Sequence, residues 1–180
     1  ARVREALGVS DIVLMSGGTS KGTGDVSYRV VSELTGPGIV AHGVALKPGK
    51  PICLAATGGR PVVVLPGFPT SAIFTFHEFV APVLCAMAGR RREVRAVVQA
   101  KLAVRVNSEV GRTEYLLVGL VDVGDGSLSA YPMGQGSGSV TTFSRADGFT
   151  TLGRHEEIVP AGTSVQVQLL DRELQLADLV

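Results

Sequence analysis

An α/β domain followed by a smaller all-β, barrel-like domain is the architecture this 180-residue sequence predicts. Three observations carry that expectation. Short continuous apolar runs, "IVLM" at 12–15 and "VVVL" at 62–65, have the texture of strands buried on both faces, as in a parallel sheet. Each is followed by a glycine- or proline-rich loop and then by helical spacing, the strand–loop–helix order of α/β folds. Past "GRRRE" at 89–93 the texture changes to long strand patterns with hardly a helix. A mainly parallel sheet domain is therefore assigned to residues 1–92 and the β domain to residues 93–180.

The elements follow in order. "ARVREAL" has the pattern of the last turns of a helix, ending near Gly8. Ile12–Met15 is a buried strand, and the glycine loop 16–25 leads to a helix from about Ser27 to Leu34, which "TGPG" stops. "IVAHGVAL" is a second strand-like run, "KPGKP" a turn, "ICLAA" a short strand, "TGGRP" another turn and "VVVLP" a core strand. After "GFPT" comes the longest helix, about Ser71 to Met87, with Ile73, Phe76, Val80, Val83, Leu84 and Met87 at helical spacing. Pro82 lies inside that pattern and predicts a kink. In the second half "VRAVVQAKLAVRV", "TEYLLVGLVDV", "SLSAYPM" and "SVQVQLL" are strand patterns, with one short helix around Val140 to Ala146.

The first half has few strands for a doubly wound sheet and opens on a helix. The expectation is a C-terminal piece of a longer chain, with an open sheet edge that invites pairing. The β half is expected to stand without the first.

Composition removes several function classes. A net charge of +1 gives no global attraction to nucleic acid or membrane, and "GRRRE", with no interleaved aromatics, is expected to be a solvated linker. The longest apolar stretches fall short of the roughly 20 residues of a membrane span. Cys53 and Cys85 have no metal-ligand spacing and sit in apolar surroundings, which points to reduced core thiols in a cytoplasmic protein. His42, His77 and His155 show no ligand spacing; His42 lies one strand before Lys47 and can approach the loops.

Those loops carry the chemistry. Ser16–Asp25 ("SGGTSKGTGD"), Lys47–Pro51 ("KPGKP") and Pro66–Ser71 ("PGFPTS") are each expected at a strand's C-terminal end, where open α/β sheets bind ligands. Glycines let backbone N–H groups approach a ligand, hydroxyls add donors, helix N-termini add a positive dipole end, and Lys21, Lys47 and Lys50 add charge. The implied ligand is a phosphate or another tetrahedral oxyanion. The first loop lacks both the GK[ST] ending of a Walker A loop and the spacing of a dinucleotide G-x-G-x-x-G. Asp25 has two readings. It caps the helix that follows, or it also joins the anion through a bridging cation such as Mg²⁺.

Taken together and in this order, "DIVLMSGGTSKGTGD", "HGVALKPGKP", "VVVLPGFPTSAIFTF" and "GRTEYLLVGL" resemble the molybdopterin molybdenumtransferase family over nearly the whole chain. Its members insert molybdate into adenylated molybdopterin at the end of molybdenum-cofactor synthesis, and gephyrin is its vertebrate relative. The resemblance implies a three-layer molybdopterin-binding domain, a C-terminal β domain, a homodimer, and further N-terminal domains in the parent chain. It implies a pocket for the pterin phosphate and adenylate at Ser16, Gly17, Gly18, Thr19, Ser20 and Gly22. Asp25 would hold Mg²⁺, and Lys47 and Lys50 would act on the oxyanions. Pro66, Gly67, Pro69 and Ser71 would form a second loop, and Ser137 or Ser139 of "GQGSGS" would lean over the site as hydroxyl donors. Adenylated molybdopterin and molybdate would be substrates. Gly43 stands where some members carry a further lysine. A rival expectation is a molybdopterin-binding or scaffold module without transferase activity; molybdate-dependent AMP release separates the two.

Overall fold

The computed structural model describes residues 2–19, 26–91, 95–124, 126–134 and 140–170. The described chain divides into two compact units. One comprises Ala1–Val44 with Gly49–Arg92, and the other Ala45–Pro48 with Glu93–Val180.

The first unit is a four-stranded sheet between two helical layers. In chain order it contains α1 (Arg2–Val9), β1 (Val13–Ser16), α2 (Val26–Ser32) and β2 (Pro37–His42). After β3 (Leu46–Lys47), which belongs to the second unit, come β4 (Cys53–Thr57), β5 (Arg60–Leu65), α3 (Pro69–Thr75), a π-helical turn (Phe76–Val80) and α4 (Ala81–Met87). The sheet order is β1-β5-β4-β2. Period-two alternation separates its faces. Cys53, Ala55, Val62 and Val64 pack with Leu7 and Val31 from α1 and α2. Val63 packs on the other face with Ile52 and Val80, and with the half-buried Leu54, Phe76 and Leu84. Covering helices on both faces explain why "VVV" shows no alternation of polarity.

The expected parallel centre is the β1–β5 pair, in register from Val13↔Val62 to Ser16↔Leu65. The other two pairings, β4–β5 and β2–β4, are antiparallel. The cause is local. Gly58 and Gly59, with φ of +55° and +77°, make a two-residue turn in which both central residues are left-handed, the type I′ geometry that joins twisted strands as a hairpin.

"IVAHGVAL" is not one strand. β2 stops at His42, and Leu46–Lys47 pairs in parallel with Thr113–Glu114 in the second unit. The long helix starts at Pro69, two residues before the sequence expectation, because proline suits a first helical position. Its kink takes the form of the π turn just before Pro82, which sits in the first turn of α4. A widened turn accommodates the missing N–H and the ring of the proline. By length and composition Pro69–Met87 is apolar enough to cross a membrane. Here its Phe74 and Val80 are buried, and Val80 packs on the sheet as part of the core.

The second unit contains β3, β6 (Val97–Leu102), β7 (Val106–Asn107), β8 (Thr113–Asp122) and β9 (Leu128–Pro132). It continues through α5 (Val140–Arg145), β10 (Gly148–Leu152), β11 (Ile158–Val159) and β12 (Ser164–Leu169). The order β10-β12-β6-β9-β8 closes through a β10–β8 pairing into a five-stranded barrel. Leu116, Val118 and Leu120, alternate residues of β8, fill the interior with Leu102, Ala130, Leu152, Val167 and Leu169. The closing strand β10, "GFTTL", is absent from the sequence expectation. Gly148 shows why it fits there: a Cβ would lie 2.5 Å from Val167 Cγ1 and 2.6 Å from the Gln168 carbonyl oxygen. Only glycine lets β10 come that close to β12.

Candidate anion-binding site

The site is built where the two parallel strands end. β1 leaves the sheet at Ser16, and Gly17 and Gly18 follow with φ of +81° and +72°, a left-handed pair that turns the chain sharply. The Gly17 N–H donates to the Leu65 carbonyl (2.9 Å), so the loop after β1 is tied to the last residue of β5. The loop after β5 meets it: a Cβ at Gly67 would sit 3.5 Å from Gly17 Cα. Ser16, Gly17, Gly18 and Thr19 are thereby brought together with Pro66 and Gly67, on the loop that leads to Pro69 and Ser71.

The second loop ends at the start of α3. Pro66 and Ser71 are buried and Pro69 occupies a first-turn position. Phe68 precedes the helix in an extended conformation, and no side chain caps it. The positive end of the helix dipole therefore lies at the same sheet edge as the glycine loop. Thr75 Oγ1 donates back to the Ser71 carbonyl (2.7 Å), securing this first stretch of helix. Phe68 itself projects, 61% exposed, beside the loops.

His42 enters from β2. Its Nε2 lies 3.0 Å from the Thr19 carbonyl oxygen, and its ring stacks on Tyr28 at 4.5 Å between centroids and 21° between planes. A carbonyl only accepts, so Nε2 carries the hydrogen. Tyr28 is joined to the loop as well, its N–H donating to the Gly18 carbonyl (3.2 Å).

The KPGKP segment is divided between the units. Lys47 is on β3, and its ammonium lies 3.1 Å from Glu114 Oε1. Glu114, on the inward face of β8, is buried and also accepts from Ser108 Oγ (2.7 Å). Lys50 belongs to the first unit, exposed, with its carbonyl accepting from the Val44 N–H (2.9 Å). Lys47 ends a strand, as expected, but that strand pairs with β8 in the second unit and is not part of the first sheet. Glu114 stands in the quoted "GRTEYLLVGL" without a role assigned from sequence; its signal was a carboxylate on the inward parity of an apolar strand.

Asp25, Ser20, Gly22, Ser137 and Ser139, with Lys21, lie outside the described residues. Among the described residues no group of three or more His, Cys, Asp or Glu side chains is placed to hold a metal. The described part of the site thus offers a Mg²⁺ ion no donor set of its own.

Comparison with known proteins agrees with this layout. Residues 1–86 match the family described as "Probable molybdopterin binding domain", and residues 99–170 match "MoeA C-terminal region (domain IV)". The chain is 28% identical to molybdopterin molybdenumtransferase from Nostoc over 173 residues, 92% of this chain and 39% of that protein. It is 28% identical to molybdopterin molybdenumtransferase 2 from Mycobacterium tuberculosis over 166 residues, 88% and 40% of the two chains. A crystal structure of the molybdopterin biosynthesis MoeA protein from Pyrococcus horikoshii superposes with a TM-score of 0.72 at 36% identity, covering 94% of this chain and 39% of the other. The chain thus spans about two fifths of these relatives. With a molybdopterin-binding domain and a MoeA C-terminal domain matched in succession, the chain belongs to the molybdopterin molybdenumtransferase family.

Proposed function

We propose that this chain supplies the phosphate-holding part of a transferase that inserts molybdate into adenylated molybdopterin and releases AMP, completing molybdenum-cofactor synthesis. The observation that carries the reading is the meeting of two loops, Ser16–Thr19 and Pro66–Ser71, at the carboxyl ends of the parallel pair, beside an uncapped helix start. Backbone donors and a helix dipole collected at such an edge suit a phosphate. Phe68 offers an apolar face beside them for a flat pterin ring. Lys50, exposed, offsets negative charge as the phosphoanhydride breaks. Lys47, which the resemblance assigns to the oxyanions, is held by Glu114 within the second unit.

Mg²⁺ enters this proposal only through Asp25 and the resemblance; bound there, it would neutralise phosphate charge. Ser137 and Ser139 enter in the same way, as do a homodimer and a cytoplasmic setting. Because the relatives are more than twice as long, the proposal assigns this chain part of the whole activity.

The test has two arms. The 180-residue chain should bind molybdopterin saturably, in competition with pyrophosphate, and Gly18→Val should weaken binding about tenfold or more. A chimera carrying these residues in place of the matching region of the Nostoc enzyme should release AMP only when molybdate and Mg²⁺ are added. Asp25→Asn should abolish that release while keeping the helix cap, since Asn caps as well as Asp. A chain that ignores molybdopterin refutes the binding role. A chimera that binds but releases no AMP leaves the module reading.

A further inference from the structure

His42 is a ring nitrogen, a stack and a strand end converging on one loop, and nothing in the proposed chemistry uses it. Its Nε2–H holds the Thr19 carbonyl at 3.0 Å across 23 positions of sequence. Tyr28, on which the ring stacks, holds the neighbouring Gly18 carbonyl through its own N–H. Two successive carbonyls of the glycine loop are thus each held by a donor from outside the loop. In a planar trans peptide the N–H points opposite to the C=O. Drawing the Gly18 oxygen toward Tyr28 therefore turns the Thr19 N–H the other way. A carbonyl facing an anion repels it and an N–H attracts it, so which way these peptides face decides whether the loop is a phosphate cradle.

We infer that His42 is a positioning residue for this loop: it keeps the Thr19 carbonyl turned from the bound phosphate so that the loop presents N–H groups. The inference rests on the anion-site reading above. Two features make a packing role alone insufficient. The ring is half-buried with its nitrogen on a backbone acceptor, whereas a purely space-filling residue at a strand end needs no donor. Its partner carbonyl follows two consecutive left-handed glycines, Gly17 and Gly18, whose backbone tolerates more than one peptide orientation. The donor survives protonation, since both the Nε2–H tautomer and the imidazolium carry that hydrogen.

The experiment titrates the ¹⁵N-labelled 180-residue chain with pyrophosphate, following the Gly17, Gly18 and Thr19 amides. It compares wild type with His42→Gln, which keeps an N–H donor at similar reach, and with His42→Met, of similar length without one. His42→Phe retains a ring for Tyr28 but no donor. Losing one hydrogen bond that orders the loop predicts affinity about three- to tenfold lower in the Met and Phe variants, with Gln within about twofold of wild type. Picosecond order at Gly17–Thr19 should fall in the same two variants. If Gln loses as much as Met, or if Phe binds like wild type, the inference is overturned while the anion site stands. If wild type itself does not bind pyrophosphate, the anion-site reading fails and the inference falls with it. Should Phe prove unfolded by circular dichroism, the Gln–Met pair alone decides.

Discussion

The pair Lys47–Glu114 offers a test in which opposite outcomes follow from its being a structural clasp or an incidental contact. Glu114 is 4% exposed at its side chain and Lys47 33%, with 3.1 Å between Nζ and Oε1. At that separation and an effective dielectric near 20, the gross attraction is about 5 kcal/mol. Desolvation offsets much of it, which is why the net value of a buried pair is small while the cost of breaking one is large. Lys47→Met strands a buried carboxylate whose remaining partner among the described residues is Ser108, so it should destabilise the barrel by about 3 kcal/mol, the low end for such a loss because the lysine is one-third exposed. Glu114→Gln leaves the lysine able to turn toward water and keeps an acceptor for Ser108, and should cost about 1–2 kcal/mol. The double variant restores neutrality and should be less destabilised than the sum of the two by about 1–2 kcal/mol. The chain has no tryptophan and divides into two compact units, so a single global transition is a poor readout. Native-state hydrogen exchange of the β8 amides reads the barrel directly. Additive effects within about 0.5 kcal/mol would show that the pair is not a clasp, and the assignment of Lys47 as a free anion ligand would regain force.

Three further expectations concern other parts of the molecule. Gly148→Ala should cost about 2–3 kcal/mol or more in β10 and β12 protection, because the added methyl meets the Gln168 backbone at 2.6 Å and not only a movable side chain; a change under 0.5 kcal/mol refutes the close-approach argument. Burial raises the Cys53 thiol above its ordinary value of 9.0. Its contribution to stability is therefore complete below pH 9 and is lost as pH climbs through the raised value, since the unfolded chain ionises first. Cys85, half-buried, should be alkylated in the native chain well before Cys53, and equal rates under native conditions would contradict the burial. Phe68→Ala, at a 61% exposed position, should leave thermal stability nearly unchanged yet weaken molybdopterin binding about two- to tenfold, as loss of one aromatic stack predicts; unchanged affinity by fluorescence titration would remove Phe68 from the site.

A fragment beginning at residue 93 makes the main structural correction concrete. Read from its strand patterns, the β half stands alone. The structure gives it Ala45–Pro48, with Leu46 buried and Lys47 matched to Glu114. Removing that segment takes away a strand pairing and a counter-charge together, so the barrel fragment should be less stable than the barrel in the whole chain.

What the sequence by itself determined were features whose causes are local or periodic. "VVV" between turn signals placed a doubly covered strand, "TGGR" a tight turn, and the apolar spacing of 73–87 a long helix with a fault near Pro82. Each follows from backbone preferences or burial period within a dozen residues. The glycine and proline loops after β1 and β5 were legible as anion loops for the same reason, and the order of the motifs pointed to the family. Tertiary structure alone decided which partner each short segment took. β3 is two residues long, too short for periodicity to say which sheet receives it, and a buried carboxylate 67 positions away settles the matter. "GFTTL" lacks an apolar alternation because Gly148 and Thr150 stand on its inward face, while Phe149 on the outer face lies against Tyr115 beside the exposed Thr151; its strand exists because two neighbours already offer open edges. His42 and Thr19 are 23 residues apart, and no pattern along the chain announces that a histidine at one strand's end will grip a carbonyl at another's. Pairings of that kind depend on where folded elements lie in space, which local preference does not encode.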